Sequence, residues 1–288
     1  MGMELAHVRP VVKGIFKRAD DALGFALSEI CWLGPNAALN DTVNTQPAIF
    51  THSVAMYELV KLSGEIDAPQ FVAGHSLGEL SALCAAGAIE FEDGVKLAHE
   101  RGRLMKAAGE RELGSMAAII GLDRETLQTA CDEASAQLPS QSQSGVVIAN
   151  DNSPGQIVIS GGKEAVAAAC AIAKTKGAKR AMPLAVSIAS HSPLMLSMRD
   201  DFRRAVEATP IQATTIPVIA NTTAQPITHP DDIRAELTAQ LTSPVRWVES
   251  VRWMHERGVT SFIELGPKDV LCGLIKRIVD GVEMRAIG

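Results

Sequence analysis

The chain has 288 residues, of which 47% are apolar and 21% are charged, a composition typical of a globular protein with a sizeable core. The formal net charge of −6 argues against nucleic acid as a partner, because phosphate binding needs net or clustered positive charge. The five cysteines are widely spread and include no C-x-x-C pair, which predicts neither disulfides nor a metal site. The sequence shows no apolar run of membrane-spanning length and no secretory signal, so we predict a cytoplasmic protein.

The first quarter of the chain is predicted to be helical up to a short apolar strand. Apolar residues recur at helical spacing over 11–27, and Gln46-Pro47 opens a second helix over 48–62. The stretch between them, 32–45, is predicted to be a loop because it contains a Gly-Pro turn signal. An apolar strand at 70–73 then leads directly into the sequence G-H-S-L-G-E.

Residues 74–79, G-H-S-L-G-E, have the G-x-S-x-G pattern of a nucleophile elbow, a sharp turn between a strand and a helix. In such a turn Ser76 has a strained backbone, and a side chain at Gly74 or Gly78 is expected to collide with the neighbouring strand or helix. The serine then lies at the start of the next helix, where free N–H groups and the helix dipole face an oxyanion. The alternative is a glycine-rich turn that carries a surface serine.

The middle of the chain alternates strands and helices in the order βαββαβ, the ferredoxin-like arrangement. Strands are predicted over 115–121, 146–150, 156–160 and 180–186, helices over 124–136 and 163–176, and a polar loop over 138–144. This small domain, 114–187, is predicted to be inserted into a larger domain formed by 1–113 and 188–288.

The larger domain is predicted to be α/β-hydrolase-like. Helices are predicted over 95–109, 193–208, 231–241, 244–258 and 270–279, and strands over 216–221 and 261–265. Apolar strands that alternate with helices imply a mainly parallel sheet covered on both faces. The predicted fold class is therefore α/β, with a mainly parallel sheet and a ferredoxin-like insertion.

A serine nucleophile needs a base within hydrogen-bond distance, and His191 is the candidate among seven histidines. It follows the last predicted strand of the small domain, and a residue where two domains rejoin is well placed to line the cleft between them. His75, next to Ser76 in the chain, is expected to project in another direction, whereas His52 and His255 are expected to be structural. The alternative for His191 is a structural role at a helix N-terminus.

Arg101 and Arg103 lie on the predicted helix that follows the elbow helix. A buried arginine can bind a carboxylate through two parallel hydrogen bonds. The alternative is a solvent-exposed helix face, and the residues by themselves favour that alternative.

Short motifs follow one another in order along nearly the whole chain. They are G-H-S-L-G-E at 74–79, R-G at 101–102, N-S-P-G-Q at 152–156, S-H at 190–191, Q-L at 240–241, P-V-R-W at 244–247 and E-L-G-P at 264–267. Together they resemble the malonyl-CoA:acyl carrier protein transacylase family. Independent motifs at matching spacings are far more specific than the elbow alone.

The resemblance implies a ping-pong acyl transfer through an acyl-serine. Ser76 is the implied nucleophile, and His191 is the implied base and acid. The position that matches the group orienting the histidine is Gln240, through its main-chain carbonyl. Leu77, the residue after the nucleophile, is implied to supply one oxyanion N–H.

The resemblance also implies the substrates. Arg101 matches the arginine that pairs with the malonyl carboxylate, and His75 and Ser190 are further residues expected to contact the acyl group. No cofactor is implied, because the substrates are malonyl-CoA, a coenzyme A thioester, and the phosphopantetheine thiol of acyl carrier protein. We expect a monomer with neither a nucleic-acid nor a membrane partner.

Ser190 leaves the acyl group open. Many malonyl-specific relatives have phenylalanine at this position, whereas related polyketide acyltransferases with serine in a Tyr-Ala-Ser-His sequence use methylmalonyl. Here the sequence is Ile-Ala-Ser-His, and some malonyl enzymes of fatty-acid synthesis also have serine. We predict malonyl, with a methylmalonyl-selective polyketide acyltransferase as the alternative.

The sequence departs from the family pattern at its start. The family begins with a short strand and a G-Q-G-S-Q loop, whose glutamine N–H is the second oxyanion donor, and this sequence has no such loop. Losing one oxyanion donor costs on the order of 100- to 1000-fold in rate. Either the sequence is truncated at its start, or the chain lacks one strand and half its oxyanion hole. We therefore expect this form to be weakly active or inactive, with a catalytically silent module that only binds carrier protein or a larger synthase as the alternative.

The densest basic cluster consists of Lys174, Lys176, Lys179 and Arg180 on the small domain. We hypothesise that it helps to dock the acidic carrier protein. The alternative is a solvated helix end.

A serine hydrolase, with water as the acceptor, is a rival function. No aspartate stands out as a third member of a triad, and Arg101 has no role with a neutral ester. Both observations favour the transferase.

Overall fold

The computed structural model describes residues 1–64, 66–138, 145–186 and 188–288. The first of these ranges is almost entirely helical, with α1 (Met3–Val8), α2 (Pro10–Leu23), α3 (Leu27–Leu33), α4 (Asn36–Asn40) and α5 (Thr42–Ser63). The loop predicted over 32–45 is therefore wrong. Its Gly-Pro signal ends α3, but Asp41 starts a new helix by accepting the Val43 N–H, so Pro47 lies inside α5 rather than opening it.

The elbow lies between the next elements, β1 (Val72–Ala73), α6 (Gly78–Ala85) and the long helix α7 (Phe91–Arg111). The segment that is predicted to be a small domain follows, and it keeps the name small domain below. It contains β2 (Gly114–Ile120), α8 (Arg124–Ala136), β3 (Val146–Ser153), β4 (Gln156–Gly162), α9 (Lys163–Thr175) and β5 (Arg180–Pro183). Its sheet has the order β3-β4-β2-β5 and only antiparallel pairs. The chain thus follows the predicted ferredoxin-like order.

Two predictions about the small domain fall on residues that the structure does not describe. The polar loop predicted over 138–144 lies outside the described residues except for Leu138, and so does Ser187 at the predicted domain end. The assignment of 114–187 as a separate domain therefore stays a prediction.

The C-terminal part contains α10 (Leu196–Ala208), β6 (Val218–Ile219), β7 (Pro226–Ile227), α11 (Pro230–Gln240), α12 (Trp247–Glu256), β8 (Ser261–Leu265), α13 (Val270–Ile278) and β9 (Glu283–Ile287). β1 pairs in parallel with β6, β8 pairs in parallel with β9, and β7 pairs with β6 in the antiparallel sense. The α/β class is confirmed. The parallel pairs belong to two small sheets, and a cleft of about 1160 Å³ is lined by both β1 and β8.

The β2–β5 segment is tied to the rest of the chain through β3. The Asp151 N–H donates to the Val245 carbonyl at 2.9 Å, and the Val245 N–H donates to the Ala149 carbonyl at 2.8 Å. These bonds fix the segment before α12, which follows α11 and its last residue Gln240, against the small domain. Among the described helices, none is both long and apolar enough to cross a membrane.

Candidate active site

The elbow turns at Ser76, whose backbone is left-handed with a φ of 53°. This conformation is uncommon for a residue with a side chain and is found at strained functional turns. Gly74 is required, because a Cβ there would lie 2.0 Å from the carbonyl carbon and oxygen of Gly78. The same expectation for Gly78 is wrong, because a Cβ at Gly78 would meet nothing within 4 Å.

Asn221, two residues after β6, holds the elbow from the neighbouring strand. Its Oδ1 accepts the Ser76 N–H at 2.7 Å, and its Nδ2 donates to the Gly74 carbonyl at 2.7 Å. The Ser76 N–H is therefore occupied. Leu77 is the N-cap residue of α6, and its N–H is among those that a helix leaves without an intrahelical acceptor. The Leu77 N–H thus remains the candidate oxyanion donor at this turn.

His191 lies against the serine although 115 residues separate them in the chain. The distance from His191 Nε2 to Ser76 Oγ is 2.8 Å. On the other side of the ring, Nδ1 faces the main-chain carbonyls of Gln240 at 2.8 Å and Ser243 at 3.2 Å. Two carbonyls can only accept, so Nδ1 carries the ring hydrogen and Nε2 is free to take a proton from the serine.

The electrostatics keep His191 in the form of a neutral base. Burial, and secondly the positive charge of Arg101, lower the pKa of His191 to about 3. The backbone at His191 is also left-handed, with a φ of 58°. The residue is thus held in a buried, sparsely populated conformation, an arrangement found where surrounding structure over-determines a functional group.

Arg101 on α7 enters the same site with only 3% of its surface exposed. Its Nη2 donates to Ser76 Oγ at 3.1 Å and to the Gln240 side-chain oxygen at 2.9 Å, and its Nη1 donates to the Gln46 side-chain oxygen at 2.7 Å. Burial lowers the pKa of Arg101 to about 10, so its guanidinium stays charged at neutral pH. A buried positive charge therefore lies on the candidate nucleophile.

Of the two arginines on α7, only one lies on a solvent-exposed helix face. Arg103 is exposed and pairs with Glu100 through two hydrogen bonds of 2.7 Å. Arg101 points the other way, into the site, where its partners are neutral side chains. Within the part of the chain that the structure describes, no carboxylate is hydrogen-bonded to Arg101, so its guanidinium can bind an anionic group.

The model of the acyl transferase domain family matches residues 1–286. The chain belongs to the acyl transferase domain family. It is 44% identical to the malonyl CoA-acyl carrier protein transacylase of Escherichia coli (strain K12) over 286 residues, which cover 99% of this chain and 90% of that protein.

Solved structures agree with this family. An acyl carrier protein S-malonyltransferase from Vibrio cholerae matches with a TM-score of 0.95 at 42% identity, covering 100% of this chain and 92% of that one. A malonyl-transacylase described in complex with its type II PKS acyl-carrier protein matches with a TM-score of 0.94 at 42% identity, covering 100% of this chain and 91% of that one.

In this acyl transferase, the two other residues predicted to contact the acyl group are His75 and Ser190. His75 Nε2 lies 2.8 Å from Asn152 Oδ1 on β3, and its ring packs edge-on against Trp247. His75 therefore links the elbow to the small domain, in a direction other than that of His191. Ser190 is half-buried directly before His191.

Two contacts explain motifs that carry no candidate chemistry, and a third gives the histidine at 229 a structural role. Asn152, in the N-S-P-G-Q motif, is the partner of His75 described above. Glu264, in the E-L-G-P motif, caps α13 by accepting the N–H groups of Leu271 at 3.0 Å and Cys272 at 2.7 Å. His229 caps α11 by accepting the Asp231 N–H at 3.3 Å.

Sequence reasoning missed several polar residues of the site: Gln46, Glu79, Asn221 and Glu236. Asn221 has a usable signal, because it is the last residue of the buried strand predicted over 216–221, at the edge where ligands bind in α/β folds. Glu79 stands inside the G-H-S-L-G-E motif, yet an acidic residue in the first turn of a helix is commonly a solvent-exposed dipole partner. Here it is fully buried. Within the described residues, no group of three or more His, Cys, Asp or Glu is placed to hold a metal ion.

Proposed function

We propose that this acyl transferase moves a malonyl group from malonyl-CoA to the phosphopantetheine thiol of acyl carrier protein. The observation that carries the proposal is the convergence of a serine, a neutral histidine and a buried arginine on one oxygen, Ser76 Oγ. The names of the relatives in the preceding section support the same substrates. A hydrolase for neutral esters would bury the Arg101 charge without use.

In the first half-reaction, Ser76 Oγ attacks the thioester carbonyl as its proton moves to His191 Nε2. The tetrahedral intermediate collapses, the C–S bond breaks, and the departing coenzyme A sulfur takes the proton from His191. In the second half-reaction, the carrier thiol gives its proton to His191 and attacks the acyl-serine. The Ser76 oxygen then leaves and takes that proton back. A thioester is exchanged for a thioester, so no cofactor is needed.

The positioning groups act at both steps. The carbonyl of Gln240 holds the hydrogen on His191 Nδ1, so that Nε2 always faces the serine. The Leu77 N–H is the donor for the oxyanion, which develops at the start of α6, where the helix dipole is favourable.

Arg101 selects the acyl group. Before reaction its Nη2 donates to Ser76 Oγ, and acylation converts that hydroxyl oxygen into a weaker ester acceptor. The guanidinium can then exchange this bond for the malonyl carboxylate, a charge-assisted interaction that acetyl lacks. The same pair keeps the acyl-enzyme in place until the carrier thiol arrives.

The decisive experiment mixes the protein with malonyl-CoA and measures its intact mass. We expect a gain of one malonyl group on Ser76, none in the Ser76→Ala variant, and loss of the group when phosphopantetheinylated carrier protein is added. Malonyl-CoA, methylmalonyl-CoA and acetyl-CoA are compared in parallel, and malonyl-CoA should react fastest. A protein that gains no mass is a silent module, and one that releases free malonate with no transfer is a hydrolase; either result overturns the proposal.

The carrier protein is proposed to dock on the basic cluster of the small domain. Lys174, Lys179 and Arg180 are exposed, whereas Lys176 pairs with Glu133 at 2.9 Å. The variant Lys179→Glu/Arg180→Glu should raise the KM for carrier protein by about tenfold and leave the KM for malonyl-CoA unchanged, because rim charges act on encounter with the partner. Equal KM values for the variant and the parent would rule out this surface.

We also propose a monomer in the cytoplasm. The serine, the histidine and the arginine all come from one chain, which supports function without a second copy. The five cysteines are free, which suits a reducing compartment. Light scattering at assay concentration tests the monomer, and a mass of twice the chain would contradict it.

A further inference from the structure

A buried carboxyl group lies behind the site and has no part in the proposed chemistry. It belongs to Glu79 in the first turn of α6, which has no exposed surface. Its Oε1 accepts the Asn221 N–H at 2.9 Å, and its Oε2 accepts a hydrogen bond from Gln240 Nε2. Burying such a group is costly unless every oxygen is satisfied, so its presence calls for a reason.

Gln240 connects this carboxyl to every part of the site. Its main-chain oxygen accepts from His191 Nδ1, its side-chain oxygen accepts from Arg101, and its side-chain nitrogen donates to the Ser76 carbonyl at 2.9 Å as well as to Glu79. Arginine can only donate, and a carbonyl can only accept. The orientation of the Gln240 amide is therefore fixed by three neighbours together, of which Glu79 is one.

Only a carboxyl group satisfies both sides of residue 79. Each of its oxygens receives an N–H donor, one from Asn221 and one from Gln240. A glutamine in its place would turn an NH₂ group towards one of these donors. It would then either push the Asn221 segment away from the elbow or turn the Gln240 amide over, which removes the acceptor of Arg101.

The pKa shifts of Glu79 and Glu236 are consistent with a carboxyl group that accepts both hydrogen bonds. Burial, and secondly the neighbouring carboxyl of Glu236, raise the pKa of Glu79 well above its ordinary value, and burial also raises the pKa of Glu236. A protonated carboxyl still offers acceptor capacity on both oxygens. The Glu79 side chain can therefore accept hydrogen bonds from Asn221 and from Gln240 in either charge state.

We propose that Glu79 is a positioning residue for acyl transfer, acting through the side-chain amide of Gln240 to hold His191 and Arg101 on Ser76. The effect of Glu79 on malonyl selectivity rests on the proposed function, because it acts through Arg101. The effect of Glu79 on the reactivity of Ser76 does not depend on the substrate. A reagent that is not an acyl-CoA measures this reactivity alone, so the test of Glu79 is independent of the test of the proposed function.

The experiment measures the rate at which a fluorophosphonate labels Ser76. The variants are Glu79→Gln, Gln240→Ala and the double variant, and each is checked by circular dichroism and thermal melting. Gln240→Ala keeps the main-chain carbonyl that faces His191. Glu79→Gln should label about tenfold more slowly per folded molecule, because one contact that orients the Gln240 amide is lost. Gln240→Ala should label at least tenfold more slowly, because the contacts of that amide to Arg101, Ser76 and Glu79 are all lost. The exposed Glu90→Gln is the control and should label at the parent rate.

The double variant decides between positioning and a general structural role. If Glu79 acts through the Gln240 amide, the double variant should label no more slowly than the slower single variant. Multiplied losses of about a hundredfold would mean that Glu79 acts independently of Gln240, and the proposal would fail. Parent-like labelling by folded Glu79→Gln would overturn it as well.

A second pair of variants covers the case in which Glu79→Gln does not fold. In Gln240→Glu two carboxyl groups face each other, whereas Glu79→Gln/Gln240→Glu restores a donor against an acceptor and still offers Arg101 an oxygen. The swapped variant should label faster than Gln240→Glu by about fivefold or more. Equal rates would overturn the proposal. If the parent labels but gains no malonyl group, the proposed function fails while this test of Glu79 still stands.

Discussion

The apolar core cluster of the small domain and the interior around Ser76 are built from different kinds of residue. The main core cluster of the small domain consists of apolar side chains, such as Ile119, Leu127 and Ile159 at about 1% exposure or less, although the strands β3 and β4 also bury the hydroxyl residues Ser153 and Ser160. Around the serine, the buried side chains include charged and polar ones, among them Glu79 and Arg101.

The difference separates stability from chemistry. Apolar burial contributes about 25 cal/mol per Å² whatever the partners are, so the small domain tolerates volume-conserving changes. A buried polar group is favourable only when each donor and acceptor has a partner, so the site is specified atom by atom. We therefore expect changes in the small-domain core to alter stability, and changes around Ser76 to alter rate or selectivity.

The largest effect on the reaction is expected from Arg101→Ala. It should lower kcat/KM for malonyl-CoA by about 100-fold relative to acetyl-CoA, because a charge-assisted bond to a carboxylate contributes on the order of 2–3 kcal/mol. Competition between the two thioesters, scored by mass spectrometry of the acyl-enzyme, gives the ratio directly. Arg103→Ala, on the exposed face of the same helix, is the control. If Arg101→Ala left the preference for malonyl-CoA over acetyl-CoA unchanged, the buried polar residues around Ser76 would not control selectivity as we expect.

Leu127→Ala in the small-domain core should lower the free energy of unfolding and leave the reaction unchanged. Leu127 is fully buried, and such a truncation costs about 2–5 kcal/mol of the free energy of unfolding. The kcat per folded molecule should stay at the parent value. Urea unfolding measures the first quantity and steady-state transfer the second, with the exposed Leu113→Ala as a control that stays within about 0.5 kcal/mol. A fall in kcat at full folding would contradict the separation.

The two glycines of the elbow sharpen the comparison within the site. Gly74→Ala should lower the free energy of unfolding by about 1–3 kcal/mol and impair acylation, because its Cβ would overlap the backbone of Gly78. Gly78→Ala is the matched variant, with open space at the new Cβ, and should be neutral or slightly stabilising because alanine favours a helix. Thermal melting ranks the two, and equal losses would show that the elbow restricts both positions.

The smallest effect concerns pH. Because burial and Arg101 hold the pKa of His191 at about 3, the neutral base persists well below the ordinary histidine pKa of about 6.5. Single-turnover acylation should therefore stay level from pH 8 to pH 5. In Arg101→Ala one of the causes of the low pKa is removed, so the acid limb should move to higher pH. A parent enzyme that loses half its rate near pH 6.5 would contradict this picture.

How much the sequence could predict is seen by comparing particular residues. The elbow at Ser76 and the small-domain strands are encoded by neighbours in the chain, through a glycine pattern and a two-residue periodicity. The helices over 32–45 were missed because a turn signal hides the cap at Asp41. The prediction for Gly78 was wrong because the G-x-S-x-G pattern does not show which of its two glycines has no room for a side chain.

The sequence by itself determined the family, the α/β class and the order of the candidate site residues. Only the tertiary structure decided that Arg101 is buried while Arg103 is exposed, that Glu79 faces Gln240, and that His191 meets Ser76. The physical reason is range. Helices, turns and strands follow from residues a few positions apart, whereas partners separated by 115 or 139 residues meet only when the packed core brings their elements together.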